Sequence, residues 1–184
     1  FCADCYARRN RQSRHIQDAI VGDLAAAGAV TACTSVLDVG CGPGTYTLPL
    51  AACCRRVTGL DTAVAMLSQL TAEAAQEAWA DRIGILAGDW NTLPDEPGYD
   101  VIFAAKTPAI GNYASLMKMN RIARRTCCLI GFAGPYTLTL RSRLWQLLTG
   151  SPLQGGADIT YPFNILYLEG YRPNLRFYSY RLSY

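Results

Sequence analysis

The sequence of 184 residues holds a single histidine, His15. A zinc site built on a histidine pair is therefore excluded, and Cys2-Ala-Asp-Cys5 is half of a C-x2-C pair that finds no second half. We expect no metal. His15 falls in an amphipathic stretch and reads as structural or solvated, so no general base emerges. No apolar run approaches the roughly 18 residues of a membrane span, and no membrane partner is expected. Charge is sparse as well, at 17% of residues with a net of +3. The arginines gather in two groups, Arg8, Arg9, Arg11 and Arg14, then Arg121, Arg124 and Arg125. Groups of this size are more often solvated helix faces than nucleic-acid surfaces. Internal repeats and low-complexity segments are absent.

Cysteine, in contrast, is plentiful, with eight residues. Cys53-Cys54 and Cys127-Cys128 are adjacent pairs in apolar contexts, and Cys41 lies inside a glycine-rich loop. That arrangement fits buried thiols in a reducing cytoplasm better than a disulfide framework. The chain opens at Phe1 and stops inside an extended-looking run, which reads as a trimmed product, and nothing in it looks like a targeting segment.

The spacing predicts an amphipathic helix over 10–27 stopped by Gly28, and strands over 35–39, 56–61, 83–87, 99–105, 126–132 and 175–184. Between them lie helices over about 45–54, with Pro49 near its first turn, 62–79 with Thr62 as N-cap, 111–124 and 141–148. Strands alternating with helices imply a mainly parallel sheet covered on both faces. Ligands bind beyond the carboxyl ends of such strands, which selects 38–45, 61–66, 88–91, 105–113 and 133–137.

Gly40, Gly42 and Gly44 sit in the first of these turns. Glycine permits positive φ and lets a ligand approach the main chain. The dinucleotide fingerprint needs a glycine where Thr45 stands, and no Gly-Lys-Ser/Thr follows for a phosphate loop. Asp61 ends the second strand about 20 residues later, where an acid accepts hydrogen bonds from both ribose hydroxyls. Asp89, beside Trp90, ends the third strand and places an acceptor within reach of an exocyclic adenine amine.

With these features the sequence resembles the class I S-adenosylmethionine-dependent methyltransferases. Val36-Leu-Asp-Val-Gly-Cys-Gly-Pro-Gly-Thr45 is similar to their first motif, and Val57-Thr-Gly-Leu-Asp-Thr62 with Met66-Leu67 to the second. Ala87-Gly-Asp-Trp90 and Tyr99-Asp-Val-Ile-Phe103 resemble the third and fourth. The likeness covers roughly 30–132. It implies an α/β, Rossmann-like, doubly wound and mainly parallel sheet in three α/β/α layers. It implies S-adenosyl-L-methionine as cofactor, with Asp38 and Gly40 near the methionine part and Gly42 and Gly44 giving backbone access. Asp61 would bind the ribose with Thr62 beside it. Met66 would pack on adenine, although a core role is equally open, and Asp89 with the Trp90 backbone would hold the adenine edge. Asp38 is either a cap-like acid for the loop or the partner of a cationic ligand, since an unpartnered buried acid is costly.

A sulfonium is already a potent methyl donor, so the protein mainly positions donor and acceptor and excludes water. The segment Lys106-Thr-Pro-Ala-Ile-Gly-Asn112 follows the fourth strand, where the family carries substrate-facing residues. It lacks the Asp/Asn-Pro-Pro-Tyr/Phe of amino-directed nucleic-acid enzymes and the Pro-Cys of RNA cytosine-C5 enzymes. Lys106 and Thr107 are the catalytic candidates, with Lys106 also counted toward the cofactor. Lys106 reads equally as an anion-binding group or as a solvated strand end.

The late tyrosines Tyr136, Tyr161, Tyr167, Tyr171, Tyr178, Tyr180 and Tyr184 either line an acceptor pocket or cover the sheet. The family usually has seven strands, so the final edge strand is expected to lie beyond Tyr184 or to be missing. The expectation is one domain over 1–184, with a helical cap at 1–29, a cofactor-binding core at 30–134 and a substrate-side elaboration at 135–184. The expected function is cytoplasmic methyl transfer to a small molecule by in-line displacement. The alternatives are a cofactor-binding module without turnover and a nucleic-acid methyltransferase. Oligomeric state is not legible.

Overall fold

The computed structural model describes residues 14–132, 139–151 and 158–178. Its centre is strand β1 (Ser35–Val39), buried at every residue, as the near-continuous apolar run requires of a strand covered on both faces. β1 pairs in parallel with β2 (Arg56–Asp61) on one side and β4 (Tyr99–Ala105) on the other. β3 (Ile83–Ala87) continues in parallel beyond β2, and β5 (Ala123–Ile130) flanks β4, for the order β3-β2-β1-β4-β5. The chain winds outward from β1 through β3, then returns to the opposite side of β1 as β4. The crevice at that reversal is where doubly wound sheets bind ligands.

Helix α1 (Arg14–Ala26) stops where Gly28 takes φ +70°, with its N–H on the Ala25 carbonyl and the Ala29 N–H on that of Leu24. α2 (Thr47–Cys53) tolerates Pro49 because its first-turn N–H groups need no helical partner. α3 (Val64–Ala74) and a 3-10 turn at Ala80–Arg82 lead to β3. α4 (Tyr113–Ile122) starts with a reciprocal cap between Asn112 and Ser115. Leu37, Leu50, Leu60, Leu70, Trp90, Ile102 and Phe103 form the fully buried core against the sheet. The chain divides into two compact units, Phe1–Leu129 with Tyr178–Tyr184, and Ile130–Phe177. The second unit holds α5 (Thr139–Thr149) and α6 (Thr160–Leu168), and within it the Ile159 N–H donates to the Phe132 carbonyl at 3.0 Å.

Several expected boundaries move. α3 ends at Ala74 rather than 79, and Thr62 does not cap it. The N-cap is Ala63, whose N–H is taken by Asp61 Oδ1 at 2.8 Å. No side chain caps the helix, and the acid that ends β2 holds the entry residue instead. β5 spans Ala123–Ile130 rather than 126–132, because Arg124 and Arg125 are exposed on it. Residues 171–178 form no strand, so the described part of the expected sixth strand is irregular, and 179–184 lie outside the described residues. Cys2, Cys5, Arg8, Arg9, Arg11 and Tyr136 also lie outside them. His15 is exposed on α1.

Candidate functional site

The turn from β1 to α2 is laid over the end of β2. The N–H groups of Gly40 and Cys41 both donate to the Leu60 carbonyl, at 2.7 and 3.1 Å. Gly40, Gly42 and Gly44 have φ of +67°, +54° and +90°, a region that side chains rarely adopt. Gly40 and Gly44 are further required by packing. A Cβ on Gly40 would lie 2.0 Å from Thr107 Oγ1, and one on Gly44 2.5 Å from Leu70 Cδ1. Gly42 differs, since a Cβ there would meet nothing within 4 Å. Its backbone borders open space and can be approached.

Asp61, half-buried at the end of β2, ties this loop to the next turn. Oδ2 accepts the Gly42 N–H at 2.8 Å, and Oδ1 that of Ala63 at 2.8 Å. Asp38, 2% exposed on β1, accepts the Thr47 hydroxyl at 2.6 Å. Burial pushes its carboxyl up to about 7, the Thr47 hydrogen bonds oppose this, and the Asp61 charge adds to it. Cys41 lies close to both acids. Burial first, then the Asp38 and Asp61 charges, push its thiol far up, so it stays protonated and is no nucleophile.

After β3, Asp89 is exposed, and its Oδ1 accepts from the backbone and side chain of Asn91 at 2.9 and 3.1 Å. Its carbonyl accepts the N–H groups of Thr92 and Leu93. Trp90 is buried with its indole N–H on the Ser115 carbonyl at 3.2 Å. After β4, Lys106 is exposed and takes φ +51°, the only non-glycine with positive φ among the described residues. Strain of that kind gathers at functional sites. Thr107 packs on Gly40, and its Oγ1 accepts the Ala109 N–H at 3.2 Å. Met66 is half-buried on α3, and Thr62 is exposed. The structure thus brings Asp38, the three glycines, Asp61 and Thr107 together, and sets Asp89 and Trp90 after the strand beside β2. No group of three or more His, Cys, Asp or Glu among the described residues could hold a metal.

Residues 36–126 match the profile of the family described as methyltransferase domain. Residues 36–126 thus form a methyltransferase domain, and the fold is that of the class I S-adenosylmethionine-dependent methyltransferases. Such domains transfer a methyl group from S-adenosylmethionine, their cofactor. Solved structures share the fold. The magnesium protoporphyrin IX methyltransferase of Synechocystis PCC 6803, solved with bound SAH, is 22% identical with TM-score 0.64, over 85% of this chain and 72% of that one. A Methanococcus maripaludis protein assigned as an S-adenosyl-L-methionine-dependent methyltransferase is 19% identical with TM-score 0.64, over 91% and 84%. The YcgJ protein of Bacillus subtilis is 15% identical with TM-score 0.58, over 80% of this chain, which spans 66% of that protein's length. No curated protein is detectably similar in sequence to the chain.

The residues of this methyltransferase fit an adenosyl-amino-acid ligand. The open cradle at Gly42 admits a ligand to the main chain, and Asp38 offers a buried carboxylate suited to a cation. Sequence reasoning missed three supports. Thr47 donates to Asp38 from a position that reads as ordinary helix. Gly59 gives up its side chain because a Cβ would lie 2.9 Å from Cys41 Sγ and from Leu70 Cδ2. Lys118 is buried on α4, where its sequence neighbourhood suggests a solvated face. No signal in the sequence marks any of them.

Proposed function

We propose that this methyltransferase moves the methyl group of S-adenosylmethionine to a small-molecule acceptor by in-line displacement. The observation that carries the cofactor half is the Gly42–Asp61 hydrogen bond beside an open backbone cradle. On this reading Asp61 holds the ribose through lone pairs not used by Gly42 and Ala63, with Thr62 next to it. Asp38 faces the cationic methionine end, together with Gly40. Gly42 and Gly44 keep the main chain bare, Met66 flanks the adenine, and Asp89 with the Trp90 backbone reads its edge. The sulfonium supplies an activated methyl when bound, so the chain's own work is to orient, exclude water and hold charge. Thr107, packed on Gly40, shapes the wall between donor and acceptor, and Lys106 is an anion-binding group at its rim. We assign residues 1–29 to a helical cap, 30–134 to cofactor binding and 135–184 to acceptor recognition.

A small acceptor is favoured over nucleic acid because two of the three arginines of the second group are occupied internally. Arg121 pairs with Asp95 at 2.6 Å, and Arg124 donates to the Pro97 carbonyl at 3.2 Å. The described cysteines, Cys33, Cys41, Cys53, Cys54, Cys127 and Cys128, are all free, which supports a reducing, cytoplasmic setting. No helix among the described residues is long and apolar enough to cross a membrane. The test is transfer of labelled methyl from S-adenosylmethionine into a panel of small acids, amines, phenols and thiols, with tRNA and duplex DNA as controls. Label in a small molecule supports the proposal. Label only in nucleic acid, or binding of the cofactor without transfer to anything, overturns the acceptor assignment.

A further inference from the structure

Lys118 lies on α4 at 6% exposure, and its neighbours Leu116, Met119 and Ile122 are buried and apolar. A packing role alone is served by such residues. A buried ammonium is costly without partners, and Lys118 finds all of them on the connection between β3 and β4. Its Nζ donates to the Trp90 carbonyl at 2.8 Å and to the Leu93 carbonyl, and lies 3.1 Å from Asp95 Oδ1. The same ammonium sits 5.1 Å from the centroid of the Trp90 ring, in cation–π range. Arg121 reinforces Asp95 from one turn further along α4. The turn that begins at Asp89 is closed by its own carbonyl and carboxylate, which leaves that side chain exposed. The connection is thus held from α4 by Lys118 at the residue after Asp89 and at two points beyond it, by Arg121 at Asp95, and by the Ser115 carbonyl on the Trp90 indole.

We propose that Lys118 is a positioning residue that fixes Asp89-Trp90 in the conformation that reads the adenine edge, and so sets the preference for an adenine-bearing cofactor. The inference rests on the cofactor reading above. It concerns a residue that touches no ligand atom and acts through the Trp90 carbonyl. Specificity of this kind depends on the placement of hydrogen-bonding groups to within a fraction of an ångström.

The test is calorimetric titration of the intact protein with S-adenosylhomocysteine and with S-inosylhomocysteine, which carries an exocyclic carbonyl oxygen in place of the amine. Wild type is expected to prefer the adenosyl compound by about tenfold or more, the effect of one hydrogen bond. Lys118→Met is expected to weaken the adenosyl compound by about tenfold and to narrow the preference to within about threefold. Equal weakening of both compounds, or an unchanged preference, overturns the proposal, since a merely structural lysine lowers both alike. If Lys118→Met does not fold, Asp95→Asn at its exposed partner carries the same comparison. A narrowed preference supports the assignment, and an unaltered one overturns it. Failure of wild type to bind either compound overturns the cofactor reading itself. Binding by wild type with an unmoved preference in the variants overturns only the role of Lys118.

Discussion

The backbone N–H of Gly42 donates to the Asp61 carboxylate at 2.8 Å, joining residues 19 apart in sequence. The other oxygen of Asp61 holds Ala63, so one side chain fixes both the glycine loop and the entry to α3. A carboxylate held from two backbone N–H groups is aimed before any ligand arrives, and it keeps lone pairs for further donors. Asp61→Ala is expected to weaken S-adenosylhomocysteine by about 100-fold, from two lost charge-assisted hydrogen bonds. It should also lower the unfolding midpoint by several degrees. Calorimetry and thermal denaturation check this, and an unchanged affinity shows the ribose assignment to be wrong.

The glycines separate two kinds of damage. Gly40→Ala combines positive φ with a Cβ 2.0 Å from Thr107 Oγ1, and should cost about 2–4 kcal/mol of stability in urea unfolding. Gly42→Ala meets no neighbour, so it should cost only about 1–2 kcal/mol, yet it fills the cradle and should reduce cofactor affinity more than stability. Similar stability losses in both variants contradict the packing account.

The Asp38 carboxyl, about 7 in the folded protein against 3.8 ordinarily, has a signed consequence for stability. A raised folded value means the contribution of Asp38 is fully present below about 4. It is lost as pH rises toward and through about 7, by on the order of a few kcal/mol. Asp38→Asn should remove that slope, so the wild-type-minus-variant difference in urea unfolding between pH 4.5 and 8 isolates it. A flat difference shows that Asp38 is not penalised by burial.

The same group makes cofactor affinity depend on pH. A cationic ligand favours ionised Asp38, so affinity for S-adenosylmethionine, which carries the sulfonium, should rise with pH through about 7 and level off above it. Titrations across pH 5.5 to 8.5 read this directly. Asp38→Asn should show no such rise, and an identical rise in the variant places the cation elsewhere.

The central strands were legible to the residue, because β1, β2, β3 and β4 are apolar runs ended sharply by Asp, Gly or a turn. The places of the glycine loop and Asp61 were legible for the same reason, since both stand at the ends of those strands. Thr62 was misread because helix-capping preference is local, while the helix starts one residue later, behind an Ala63 N–H held by Asp61. The start of β5 was read three residues late because the helical spacing of Leu116, Met119 and Ala123 carries on to Arg124, though an exposed strand surface accommodates both arginines. Lys118 could not be read at all. Its burial depends on carbonyls of Trp90 and Leu93 that lie 28 and 25 residues away, and pattern within a helix carries no trace of them. Helix α6 was likewise hidden, as its Tyr-Pro-Phe-Asn run has little helix propensity.

The most direct test of the account is titration of the intact wild-type protein with S-adenosylmethionine and S-adenosylhomocysteine at pH 8, where Asp38 is ionised. The account predicts one-to-one binding of both with dissociation constants of about 1–100 μM, weakened strongly by Asp61→Ala. No heat of binding from either compound contradicts it.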